Sequence, residues 1–376
     1  MSLPDAIGWW HGDSFAGRTV RRRFPGMIDL LAEGNPDLDR PVRALRELVT
    51  EMVGDGVLRV DRFERPTPYW ADWLAERDGA RFGELSFFEI EFVFHHAINS
   101  YCGSYPTGRD PFEFLKRREA EAALARVAAM RPDSLPAALR QALFANIADA
   151  SQLTNPGHGE LGQPLVVDES DRALALLAGQ PVFLLADNTG LELGLDLLLV
   201  DRLVRDGPVT LAVKPWPLFV SDATVRDVDA QLDLWRASEL RAVAGRLDAA
   251  RRDGRLTVRD DPDWGEPRFF QDLSLTLADA LADQVVISKG DLNYRRYFGD
   301  RQWPYDTPIQ VAAGSIAFRS VLLRVLKSDI LVGVDLDRAR AIERDDPHWL
   351  TDSRYAVIQV SDTRRSEATD PARSDR

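Results

Sequence analysis

A single cysteine, Cys102, is all the thiol chemistry this 376-residue chain has. That excludes an internal disulfide and a cysteine-built zinc site. Histidine is nearly as scarce. His11, His95, His96, His158 and His348 show no His-Glu-x-x-His spacing. His95 and His96 fall in an apolar helical stretch and read as core or interface residues rather than ligands. No apolar run approaches the roughly 20 residues of a membrane span. Residues Met1 to Trp10 lack the basic region and apolar core of a signal peptide, so the expected location is cytoplasmic. Positive charge is also short, with a net charge of -13. Nucleic-acid binding needs a basic face, so such a partner is not expected. A small anionic ligand stays compatible, because a few local Lys and Arg can outweigh the mean field inside a pocket. The familiar nucleotide and nucleophile loops are missing too. There is no Gly-x-Gly-x-x-Gly after a strand, no Gly-x-x-x-x-Gly-Lys-Ser/Thr, and no Gly-x-Ser-x-Gly elbow.

What remains is a globular composition, 45% apolar and 28% charged, in a chain long enough for two domains. Residues 1–165 read as a helical domain. Apolar residues at 42, 45, 48, 49, 52 and 53 mark an amphipathic helix. The stretch Phe87 to Ile98 is apolar all round and reads as buried. Asp110 and Pro111 read as the cap and first position of the next helix, and a further helical pattern starts at Pro136. Gly and Pro then gather between Leu153 and Pro164, a loop and candidate boundary.

Residues 166–362 alternate between strand and helix patterns. Strands are expected at 181–186, 209–213, 284–288, 329–333 and 355–360, and helices at 190–206, 224–250 and 273–282. Strands this apolar imply a mostly parallel α/β sheet covered by helices. The last segment, 363–376, is polar and charged and is expected to be a disordered tail.

Ligands in open α/β sheets bind beyond the carboxyl ends of strands, and four polar clusters stand beside the apolar runs. They are Asp187-Asn188, the segment Lys214 to Thr224 with Asp222, the run Ser288 to Tyr297, and Arg324 to Asp329. Asp187, Asn188 and Asp222 are hard oxygen donors suited to Mg²⁺ or Mn²⁺ rather than zinc. Lys289, Asn293, Arg295 and Lys327 are cations and donors suited to a phosphate. A divalent cation facing such groups is a layout for phosphoryl transfer or phosphate-ester hydrolysis. Plainer readings exist for each cluster. Thr189 and Glu192 fit a capping box, which would make the first turn merely a helix start. Asp222-Ala-Thr is a plausible cap, and Arg324 and Lys327 suit a solvated strand or helix end.

In this order the clusters resemble the damage-control phosphatase family, formerly domain of unknown function 89. The closer likeness is to its third subfamily, the acidic-residue methyltransferase 1-like proteins. The resembling stretches are Leu185 to Asp196, Pro217 to Thr224, Lys289-Gly-Asp-Leu-Asn-Tyr-Arg295 with Gly299 to Trp303, and Leu323 to Asp329. The first half joins in with Asp110-Pro-Phe, Lys116 and Leu143 to Asp149. The resemblance implies a three-layer α/β/α, Rossmann-like core with an N-terminal helical domain. It implies a metal-dependent phosphatase acting on small sugar phosphates such as fructose 1-phosphate, with Mn²⁺, Co²⁺ or Ni²⁺ preferred and Mg²⁺ possible. By matching position Asp187, Asn188 and Asp222 would be metal ligands and catalytic groups. Asp187, Asn188, Glu192, Lys289, Asp291, Leu292, Asn293, Tyr294, Arg295 and Lys327 would meet the phosphosubstrate. The subfamily's Arg-Thr-x-Lys signature is Arg324-Val325-Leu326-Lys327 here, which removes one hydroxyl from the phosphate side. The subfamily's second assigned activity, S-adenosylmethionine-dependent methylation of protein carboxylates, has no glycine-rich cofactor loop to support it. A non-enzymatic metabolite-binding protein on the same fold is the third alternative. Neither the nucleophile nor the oligomeric state can be read from the residues.

Overall fold

The computed structural model describes residues 3–145 and 164–362. Seven strands form one sheet: β1 (Leu165–Asp168), β2 (Val182–Leu185), β3 (Val209–Val213), β4 (Leu256–Asp260), β5 (Val285–Lys289), β6 (Arg319–Val325) and β7 (Ala356–Asp362). Their spatial order is β1-β7-β6-β5-β2-β3-β4. Every neighbouring pair is parallel except β6 and β7, which run antiparallel. From β2 the chain steps outward to β3 and β4, then returns across β2 to β5 and steps outward the other way to β6. The reversal lies between β2 and β5, so the crevice for a ligand opens beyond their carboxyl ends.

Both faces of the sheet are covered, as a fully buried β2 requires. Phe183 and Leu185 point into one core with the helices Phe24–Gly34, Asp39–Val53 and Phe87–Tyr101. Val182, Leu184 and Ala186 point into the opposite core. There they meet the helices Glu113–Ala129, Leu135–Phe144, Leu191–Leu203, Val225–Arg236 and Arg241–Arg252. The result is three layers, helix, sheet and helix. Two helices of the first half, Glu113–Ala129 and Leu135–Phe144, pack on Leu191–Leu203 and so belong to a layer of the sheet.

Several expectations need correction. No strand forms at 329–333; the strand is β6 at 319–325, and Ile330, Leu331 and Val332 are buried in the loop after it. The pattern at 224–250 is two helices, Val225–Arg236 and Arg241–Arg252, broken at Ala237. Asp110 does not cap its helix, which starts at Glu113 behind Phe112; its carboxylate accepts from the Phe112 N–H and pairs with Lys116. The Gly- and Pro-rich boundary, apart from Pro164, and the expected tail at 363–376 lie outside the described residues.

Candidate active site

Asp187, Asn188 and Thr189 leave β2 as a buried turn, and Gly190 (φ +68°) begins the next helix. No capping box forms there. Thr189 Oγ1 has no hydrogen-bond partner among the described residues. Glu192 turns instead to Asn188 Nδ2 at 3.0 Å and to Lys289 Nζ at 3.1 Å. The segment after β3 folds back onto this turn. The Thr189 N–H donates to the Ser221 carbonyl at 2.8 Å and the Ala223 N–H to the Asp187 carbonyl at 2.9 Å, so Asn188 and Asp222 face each other as a short antiparallel bridge. Asp222 lines the cleft that this bridge borders and does not cap the helix. Thr224 and Asp227 form that capping box.

The end of β5 closes the other side. Gly290 adopts φ +88°, and a Cβ placed on it would lie 1.9 Å from Asp187 Oδ2. Only glycine lets the β5 turn approach that carboxylate so closely. Asp291 then accepts from Arg324 Nε at 2.8 Å, Ser328 Oγ at 3.0 Å and the Lys327 N–H at 3.2 Å. The turn after β6 is thereby locked to the turn after β5.

A cleft of about 100 Å³ lies where these turns meet. It is lined by Asp187, Asn188, Asp222, Asp291, Leu292, Arg295 and Lys327 among the expected residues. The other four stand behind its wall. Lys289 is fully buried and paired with both Glu192 and Asp196. Asn293 Nδ2 donates to the Lys289 carbonyl at 2.7 Å, and Tyr294 reaches Gln359 at 3.0 Å while lying under the Arg324 guanidinium. Glu192 lines a neighbouring hollow that shares Asn188 and Ser221 with the cleft. Arg295 reaches the cleft already engaged. It makes a bidentate pair with Asp300 at 2.8 Å on both nitrogens and a further ion pair with Glu91.

Glu91, His95, Met27, Arg23 and Phe15 form the roof, contributed by the first ninety-five residues, and sequence reasoning did not place them. Glu91 carried a signal: a carboxylate in an otherwise apolar helix must find a partner when buried. His96 is core as expected, stacked on Trp70 and bonded to Tyr105 and Glu64. His95 packs on Phe219, lines the cleft, and has an unpartnered Nδ1 among the described residues.

The electrostatics follow from burial. Desolvation raises the Asp222 carboxyl against the pull of Lys214, and raises Glu91 against that of Arg295. Burial also acts upward on Asp291, but Arg324 and Arg295 outweigh it and the group is held below the usual carboxylate range. Lys214, 0% exposed and with no hydrogen-bond partner among the described residues, is pushed down by burial despite Asp222 and Asp187. Lys116 Nζ donates to the Asp222 carbonyl at 2.6 Å and fixes that turn from behind.

Among the described residues no group of three His, Cys, Asp or Glu side chains is disposed to hold a metal ion. The donor set available is two carboxylates, Asp187 and Asp222, with the Asn188 amide. Asn188 Nδ2 lies 3.2 Å from Asp187 Oδ2 and 3.0 Å from Glu192 Oε2, so a donor already occupies the place between carboxylates that favours positive charge. Exchanging the amide O and N would present an oxygen there. As placed, Asn188 Oδ1 accepts from Ser221 Oγ at 2.7 Å; by donor type alone, two carboxylates and an amide oxygen suit a hard divalent cation.

The fold and this crevice define a doubly wound α/β protein with a carboxylate-rich site at its switch point. A family profile described as the damage-control phosphatase ARMT1-like domain matches residues 22–341, and the chain belongs to that family. Among curated proteins it is similar to damage-control phosphatase ARMT1 of Danio rerio, 30% identical over 54% of this chain and 48% of that protein. The Mus musculus ARMT1 is 32% identical over 47% and 43%, and the Homo sapiens ARMT1 27% over 47% and 43%. The chain spans about half the length of the curated relatives it matches. Among solved structures, a DUF89 family protein from Pyrococcus horikoshii aligns over 88% of this chain and 92% of its own, at 16% identity and a TM-score of 0.46.

Proposed function

We propose that the chain is a metal-dependent phosphatase of small phosphorylated metabolites, sugar phosphates such as fructose 1-phosphate among them. The observation that carries this reading is the meeting of two chemistries in one cleft. Asp187, Asn188 and Asp222 come from the β2 and β3 ends, and Asp291 and Lys327 from the β5 and β6 ends. Membership of a family named for damage-control phosphatases supports it.

Asp187, Asn188 and Asp222 would hold the cation, Mn²⁺, Co²⁺ or Ni²⁺ by preference and Mg²⁺ as a possible substitute. Such a cation would draw charge from a phosphoryl oxygen. Lys327 would bind the phosphate oxygens from the opposite wall and offset charge that grows in the transition state. Asp291 sets the Lys327 backbone in place. Arg295, already paired with Asp300 and Glu91, would orient the roof and contribute field rather than a full bidentate clamp. The roof from Glu91 to His95 would exclude water around the organic end of the substrate.

Hydrolysis of p-nitrophenyl phosphate and fructose 1-phosphate should appear with added Mn²⁺, Co²⁺ or Ni²⁺ and disappear with chelator. Asp187→Ala should remove it while circular dichroism stays unchanged. Full activity in that variant would exclude Asp187 from the site.

A further inference from the structure

The roof of the cleft has polar groups that phosphate binding does not use. Glu91 and His95 stand one turn apart on the same face of the helix Phe87–Tyr101, about 5–6 Å between their Cβ atoms. Both line the cleft, and the His95 ring packs on Phe219 with centroids 4.1 Å apart. Asn99, a further turn along, donates to the Pro217 and Leu218 carbonyls at 2.9 and 3.3 Å. The helix is thereby bound to the segment that carries Asp222, and its two polar groups are held over the site.

Each of the two has one polar atom spent and one left over. Arg295 takes Glu91 Oε2. His95 Nδ1 is sealed away without a partner among the described residues. Glu91 Oε1 and His95 Nε2 also have no hydrogen-bond partner among the described residues, but neither is sealed, so what they can meet lies in the cleft. Burial, with Arg23 adding to it, pushes the His95 pKa down to about 3. The ring is therefore neutral and carries one N–H. Orphaned buried N–H groups are rarer than orphaned acceptors, which assigns the lone pair to Nδ1 and the proton to Nε2. A ring that stays neutral is no acid for a leaving alkoxide. It is a hydrogen-bond donor, with an acceptor one helical turn away.

We propose that Glu91 and His95 are a specificity-determining pair, selecting phosphate esters whose organic part carries two neighbouring hydroxyls; this rests on the reading of the cleft as a phosphatase site. His95 Nε2–H donates to one hydroxyl oxygen, and Glu91 Oε1 accepts from the other hydroxyl. An ester lacking them leaves both groups covered and unpaired, the situation in which a polar site discriminates most strongly. The cleft, about 100 Å³, is small beside the roughly 300–1,000 Å³ of most small-molecule sites, so a short ester suits it.

The test is calorimetric titration of the full chain with Mn²⁺ present, using phosphonates, which have no ester bond to hydrolyse. The probe is 3,4-dihydroxybutylphosphonate, and butylphosphonate is its counterpart without hydroxyls. The dihydroxy compound should bind about tenfold tighter or more. His95→Phe keeps an aromatic ring against Phe219 and should bring the two affinities together. His95→Gln, whose amide N–H falls near the place of Nε2–H, should keep part of the preference. Glu91→Met should lower it too, with Arg295 still held by Asp300. Equal affinities in the unaltered protein would overturn the proposal and leave the phosphate site standing. So would an undiminished preference in a folded His95→Phe protein. If neither phosphonate binds, the phosphatase reading itself fails and takes this inference with it.

Discussion

Gly290 shows how one residue type can decide the geometry of a site. Its φ of +88° and its contact with Asp187 leave no room for a side chain. Gly290→Ala should cost about 2 kcal/mol in stability through backbone strain, measured by urea unfolding. It should lower phosphatase activity by much more than that loss of fold explains, because Asp187 is the group displaced. Arg295 makes the contrary point. Its chemistry was legible in the run Asp291 to Arg295, but its commitment to Glu91, two hundred residues away, was not. Pair partners at that separation carry no local spacing signal. Arg295→Met should cost about 4 kcal/mol, since it strands Asp300 and Glu91 as uncompensated buried acids. If Arg295 served only as a phosphate ligand, chemical denaturation would show little change and the loss would appear in KM alone.

Elements were legible where their burial was uniform. β2, β3 and β5 are short and apolar, so each announced itself. β1 and β4 lie at the sheet edges and are partly polar, with Asp168, Arg259 and Asp260 in them, and they gave no such signal. β6 was missed because Arg319, Ser320 and Arg324 interrupt its apolar pattern. Arg324 is nevertheless buried, held by Asp291 and Ser328. Conversely Ile330 to Val332 looked like a strand because a buried loop and a buried strand share composition. The helix Leu191–Leu203 was read correctly, yet its Asp196 is not a solvent-facing residue. It is 0% exposed against Lys289. Burial raises its carboxyl to about 7 despite Lys289. The folded protein therefore holds this proton more tightly than the unfolded chain does. The stability it contributes is full below the unfolded value near 3.8 and is lost as pH rises towards 7. Unfolding by urea at several pH values should show this decline, and Asp196→Asn should remove it from the difference curve.

At the scale of the whole molecule, cation binding and folding should be linked. A cation that binds the folded chain alone stabilises it by about 2.7 kcal/mol at a hundred times its Kd. Thermal unfolding should therefore shift upward with added Mn²⁺, and Asp187→Ala should abolish the shift. An equal shift in that variant would place the cation elsewhere. The sheet order has a further consequence, for the order in which the molecule can be completed. Among the described residues β1 is made before any other strand, yet its neighbour in the sheet is β7, the last of them. β6 likewise waits for β7 to cover its outer edge. During synthesis both edges stay open until β7 has left the ribosome. A nascent chain stalled short of β7 should thus be the form that chaperones hold and proteases clear.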